Sequence, residues 1–263
     1  MNPVLSDEKA VGPHGLSSRA SRVRAVVRAE QGDRTRRGGA AITWWMLPAL
    51  LFFLPILLLE APGSKASGLV EQMRASYAEV KDYRADVVIR RRGVDGAEKI
   101  ERLTYSFKKP DRIRVDFQSP HKGLVMVHPN EEGKAVVRPF PWAPFLKLRL
   151  APEFSLTVGS AGQRIDQTDM GFLIESIDRS LSARSRGAPV IEESDEAVII
   201  RVLAEDLFRR DRITRYGFRI DKDRWLPVAV AEYAPDGGFR RELRFLELRT
   251  NLGISDGYFS LED

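Results

Sequence analysis

The chain contains no cysteine. That absence excludes disulfides, thiolate metal ligands and a cysteine nucleophile. It also excludes a lipid-modified cysteine, so this chain is not itself a lipoprotein. Histidine is nearly as scarce, with three in 263 residues: His14, His121 and His128. His14 lies in a basic N-terminal stretch, and the other two sit beside Pro120 and Pro129 with no carboxylate at metal-ligand spacing. There is no glycine-rich phosphate loop and no nucleophile elbow. Asp221 and Asp223 place two carboxylates in one turn, but Lys222 and Arg224 alternate with them, as on a solvated hairpin tip. On these grounds the chain is read as a non-enzyme with no metal and no cofactor. A strong excess of one charge is missing too. The 42 Lys+Arg residues face 37 Asp+Glu, and residues 1–39 alone hold eight basic and four acidic groups. Only +1 of the formal +5 is left for the remainder, which excludes a phosphate-tracking surface and nucleic acid as a partner.

What the chain does have is one long apolar run. Residues 40–59 carry no charge and sit directly behind Arg34, Arg36 and Arg37. Twenty residues in a helix, at about 1.5 Å each, cross a bilayer core of roughly 30 Å. Arginines in front of such a run stay in the cytoplasm, and the residues behind it are exported. Trp44 and Trp45 at one end suit a membrane interface. Two outcomes stay open. Ser64, Lys65 and Ala66 have the small-x-small pattern of a cleavage site behind the helix-breaking Pro62, whereas the length of the apolar run and of the stretch before it favours an uncleaved anchor. The expected organisation is therefore a basic, disordered cytoplasmic stretch over 1–39, a signal or transmembrane helix over 40–60, and one domain over 67–263. That domain is expected in a bacterial cell envelope, periplasmic, and either released or anchored to the inner membrane.

Beyond the run the periodicity predicts an α+β domain. Leu69, Val70, Met73 and Tyr77 fall at helical spacing. The period then drops to two: Leu103, Tyr105 and Phe107, then Ile113, Val115 and Phe117, then Leu146, Leu148 and Leu150, then Tyr216, Phe218 and Ile220. Each run predicts a strand with one buried and one wet face, so Ser106 is expected on the wet side. Breaks at Asp95-Gly96, Lys109-Pro110-Asp111, Pro129 to Gly133 and Pro235 to Gly238 are short. Short connections favour an antiparallel meander over a parallel sheet. One helix interrupts it, capped by Asp169 and striped by Leu173, Ile177 and Leu181. Between the strand runs, three prolines and the aromatics Phe140, Trp142 and Phe145 crowd into residues 138–145. This segment cannot continue a central strand and reads as a lid, a membrane-touching tip or an edge plug.

The segment from Phe107 through Lys109, Pro110, Ile113 and Val115 to Phe117 resembles the F-x-R/K-P-x-x-F/I-R-x-x-F strand–turn–strand of the LolA-like outer-membrane lipoprotein carrier superfamily. The end of the chain is similar in order: Ile220 to Pro227, Tyr233 to Gly237, Phe245, then Asn251 to Phe259. The resemblance implies an unclosed, strongly curved antiparallel β-barrel of about eleven strands. Helices would cover its mouth, and an apolar cavity would take acyl chains. Two positions depart from the family type: Lys109 stands where the family has an arginine that helps hold the lid, and Ile113 where it has a phenylalanine. The residues expected to bind ligand are Phe107, Lys109, Ile113, Val115, Phe117 and Trp142. The implied function is a periplasmic binding protein or chaperone for acyl chains of lipids or lipoproteins, working with inner- or outer-membrane components. The alternative is an envelope sensor on the same fold, anchored in the inner membrane.

Overall fold

A computed structural model of the chain describes residues 62–261 except positions 94, 156, 160, 161, 183, 184 and 210. The expected cytoplasmic stretch and the apolar run lie outside the described residues. No helix among the described residues is long and apolar enough to cross a membrane.

The chain begins with helix α1 (Pro62–Ala78), whose opening proline suits a first turn, where its missing N–H has no partner to lose. Six strands come next: β1 (Asp82–Arg92), β2 (Glu98–Lys108), β3 (Arg112–Ser119), β4 (Val125–His128), β5 (Ala135–Arg138) and β6 (Leu148–Leu150). Then come a 3-10 turn (Ile165–Gln167) and helix α2 (Met170–Leu181). The chain closes with β7 (Val190–Glu193), β8 (Ala197–Glu205), β9 (Ile213–Asp221), β10 (Leu226–Tyr233), β11 (Phe239–Thr250) and a second 3-10 turn (Asp256–Phe259). All eleven strands form one antiparallel sheet in the order β6-β5-β4-β3-β2-β1-β11-β10-β9-β8-β7. The edge strands β6 and β7 do not pair with each other, so the barrel stays unclosed. Register shifts at Arg84/Asp86, Arg102/Leu103, Pro227/Ala229 and Glu232/Tyr233 break the regular pairing, and bulges of this kind bend strands and increase their twist. The architecture is the expected curved α+β sheet.

The two helices fill one half of the concave face. Val70 and Met73 of α1 pack with Ile174 and Ile177 of α2 against Val198, Ile200, Tyr216 and Phe218. Asp169 caps α2 as expected by accepting from the Phe172 N–H at 3.1 Å. Of the predicted stripe, Ile177 is fully buried and Leu173 and Leu181 pack half-buried against the core, while Met170 and Ile174 are the further buried apolar residues of the helix. Tight crossing of the helices explains Gly171: a Cβ there would lie 2.8 Å from the Tyr77 ring. Arg74 ties the pair from outside, bonding Glu175 through Nε and Nη2 and Asp178 through Nη2.

The convex face corrects one expectation. Ser106 is fully buried and accepts from Arg84 Nε at 3.2 Å. The C-terminal segment covers that face, with the Tyr258 ring beneath the Arg84 and Arg114 guanidiniums at 4.8 and 4.4 Å. Asp82 holds this segment in place, its carboxylate accepting the N–H groups of Leu252, Gly253 and Ile254. Asn251 completes the anchor by accepting from Lys81 N–H and donating to the Glu79 carbonyl.

Candidate functional site

The half of the concave face that the helices leave uncovered holds a cavity of about 540 Å³. Its volume falls in the ~300–1,000 Å³ range of small-molecule sites. Cross-strand register explains its shape, because directly opposed residues of an antiparallel pair point to the same face. Five concave rows cross the sheet. The floor is His128–Ile113–Phe107–Tyr83, and above it lies Met126–Val115–Tyr105–Ala85. Next come Phe117–Leu103–Val87–Phe245 and Glu101–Ile89–Leu243–Val230. The last row, beside the β1–β2 turn, is Lys99–Arg91–Arg241–Glu232.

The cavity occupies the rows above the floor. Its wall includes Val115, Tyr105 and Met126, then Phe117, Leu103, Val87 and Phe245, then Ile89, Leu243 and Glu101, and finally Arg91 and Arg241. The opposite wall is the strap between β6 and α2, which contributes Ser155, Thr157, Val158, Gly159, Gln163, Ile165 and Thr168. The strap holds itself with a bridge between Val158 and Arg164 and with Thr157 Oγ1 donating to local carbonyls. It meets the sheet where Tyr105 Oη and Thr168 Oγ1 share a 3.0 Å hydrogen bond. Burial pushes the Tyr105 phenol well above its ordinary pKa, so it stays neutral there.

The structure brings Val115 and Phe117 together on the cavity wall. It places Phe107 and Ile113 one row deeper, each 2% exposed in the closed floor, with the Phe107 ring 5.2 Å from that of Tyr83. Lys109 is not on the wall either. Its ammonium donates to the Tyr77 and Ala78 carbonyls at 2.7 and 2.9 Å and lies 4.5 Å from the Tyr77 ring. α1 has no basic residue in its own last turn, so Lys109 satisfies its orphan carbonyls from the β2–β3 turn. Partial burial lowers the Lys109 pKa from its ordinary value. Trp142 is 76% exposed and stacks on Phe140 with ring centroids 5.1 Å apart. Together with Phe145, 83% exposed, it forms a surface aromatic patch rather than a cover for the cavity. Pro141 anchors this loop on Gly123, where a Cβ would come within 2.7 Å of the proline ring.

The two histidines part company. His121 stands on the cavity wall with its ring edge-on to Phe117, 6.3 Å away. His128 ends the floor row, 7% exposed, and its Nδ1 has no hydrogen-bond partner among the described residues. Burial holds the His128 pKa below the ordinary histidine value, against the pull of Asp166 and Asp111. The unfolded chain therefore takes up this proton first. Stability is full above the unfolded pKa of about 6.5 and declines as pH falls from there through the lower folded value. Urea midpoints measured from about pH 8 down to about pH 5 should show this decline. The His128→Gln variant should show a shallower one, and an unchanged slope would remove His128 as the cause.

No protein-family model matches the chain, and no curated protein matches it in sequence. Solved structures do match in fold. The Pseudomonas aeruginosa MucA/MucB complex aligns over 74% of this chain at 15% identity with a TM-score of 0.42; this chain covers 60% of that one. A LolA superfamily protein from Nitrosomonas europaea aligns over 74% of this chain and 97% of its own, at 14% identity and a TM-score of 0.35. The Mycobacterium tuberculosis lipoprotein LppX aligns over 73% and 99%, at 8% identity and a TM-score of 0.39. These are likenesses of fold alone, each with a TM-score below 0.5.

Proposed function

We propose that the domain is a binding protein of the bacterial cell envelope that holds an acyl chain of a lipid or lipoprotein in the cavity between sheet and strap. One observation carries the reading. A cavity of about 540 Å³ has Val87, Leu103, Val115, Met126, Leu243 and Phe245 along its sheet wall, so that most of its lining surface is apolar, with the charged groups gathered at one end and hydroxyls and an amide on the strap. Apolar surface of this extent gains by covering itself, at about 0.8 kcal/mol per buried methylene of a guest chain. The wall supplies shape and apolar contact, which is the chemistry of holding rather than of turnover. The exposed rings of Phe140, Trp142 and Phe145 suit contact with membrane components at a bilayer interface. The arginine-led apolar run ahead of the domain supports export, with the domain outside the cytoplasm.

A fluorescent fatty acid titrated into the full chain should bind saturably and be displaced by unlabelled acyl chains. Phe117→Asp should weaken binding on the order of a hundredfold, since a carboxylate against the chain has no partner. Phe117 is only half-buried, so the fold should survive the change. A folded protein with no saturable binding would end the acyl-chain reading.

A further inference from the structure

We infer that the cavity takes its ligand in one orientation, with an acidic head against Arg91 and Arg241 and the acyl tail running toward Tyr105 and Val115. The inference rests on the acyl-ligand reading and adds the chemistry of the head. Its basis is the gradient along the rows. Met126–Val115–Tyr105 is uncharged, Phe117–Leu103–Val87–Phe245 is wholly apolar, and the next row introduces Glu101 beside Ile89 and Leu243. The last row is Lys99–Arg91–Arg241–Glu232, charged at every position. A chain with a charged end fits such a gradient in only one direction, because reversing it buries the head among aromatic and aliphatic side chains.

The sign of the head comes from the pairing. Arg91 donates through Nε and Nη2, both to the same Glu101 oxygen, Oε1, at 3.0 and 2.8 Å. Glu101 Oε2 and Arg91 Nη1 lie outside that contact. Arg241, only 8% exposed, donates to Glu232 Oε1 at 2.5 Å. Of the charged side chains that line the cavity, two guanidiniums, Arg91 and Arg241, stand against one carboxylate, Glu101, while Lys99 and Glu232 of the same row are not part of its wall. A carboxylate or a phosphate on the ligand balances the positive excess on the wall, and guanidiniums are well shaped to receive either. A cationic head meets repulsion, and an uncharged head gains nothing from the row.

The experiment uses the full chain and displacement of one fluorescent fatty acid by three ligands of equal chain length: dodecanoate, dodecyl phosphate and uncharged methyl dodecanoate. The acids should bind about tenfold more tightly than the ester, as expected for one charge-assisted hydrogen bond. The tighter acid identifies whether the head is a carboxylate or a phosphate. Arg91→Gln should bring acids and ester to within about twofold of each other, chiefly by weakening the acids. Glu101→Gln should act in the opposite direction and tighten the acids about threefold, because it frees Arg91 from its competitor. Damage to the fold would move acids and ester together, and that result overturns the inference. Equal binding of acids and ester by the unaltered protein overturns it as well, with the acyl-chain reading left standing. Binding of none of the three removes the acyl-chain reading itself.

Discussion

Phe107→Ala should destabilise the domain by about 3–5 kcal/mol, whereas Phe117→Ala, two rows higher on the same face, should cost no more than about half of that. The two residues share a parity and a side-chain type but not a depth. Phe107 is closed in on all sides at 2% exposure, against Tyr83 and in row with Ile113. Its removal leaves a void that packed neighbours cannot fill. Phe117 already faces the cavity, so its truncation enlarges an existing space instead of opening a new one. Urea unfolding of both variants gives the comparison directly through the shift in midpoint. Equal losses would mean that floor and wall are wrongly distinguished. The two variants should also separate in binding, because Phe117 lines the cavity and Phe107 does not.

Glu232→Ala should be as costly, about 3–5 kcal/mol, for an electrostatic reason. Glu232 and Arg241 are 6% and 8% exposed and lie opposite each other on β10 and β11. Removing the carboxylate strands a buried guanidinium without its counter-charge. Replacing both residues by methionine removes the stranded charge together with its partner. The double variant should regain most of the lost stability, giving a large coupling energy in a double-mutant cycle. Because Arg241 belongs to the charged row, the double variant should also discriminate less between acidic and uncharged ligands. Additive losses in the cycle would show that the pair stands in water rather than in the chamber.

Much of this fold is legible in the chain. Alternation in β2, β3 and β9 sets which residues face inward, and Leu103, Tyr105, Phe107, Tyr216, Phe218 and Ile220 are all buried as the period predicts. The short turns at Lys109-Pro110-Asp111 and Pro235 to Gly238 force antiparallel neighbours, and Asp169 starts α2. Depth is another matter. A period of two fixes the face but not the row, since the row depends on register against strands distant in sequence. Ile113 and Val115 look equivalent in the sequence, yet Ile113 pairs with Phe107 in the floor and Val115 with Tyr105 at the cavity. Arg91, Glu101 and Arg241 carry no local signal, because a charged residue near a hairpin turn reads as solvated until β11 is known to lie beside β1.

Three further placements depend on distant contacts. Ser106 has the parity of a wet residue, and only the return of residues 251–261 across the convex face buries it. Lys109 looks in the sequence like a wet residue before a turn proline, and only the placement of α1 shows its ammonium satisfying the Tyr77 and Ala78 carbonyls. Trp142 belongs to a loop that Pro141 pins to Gly123, so its ring is presented outward.

The central claim is that an acyl chain lies between the sheet and the strap. Photo-crosslinking of the full chain with a diazirine-bearing fatty acid tests it most directly, with the modified residues located by peptide mass spectrometry. The account predicts crosslinks to Leu103, Val115, Met126 and Leu243, suppressed by excess unlabelled fatty acid and lost in Phe117→Asp. Crosslinks confined to the surface rings of Phe140, Trp142 and Phe145 or to residues 40–59, with the cavity wall unmarked, would contradict it.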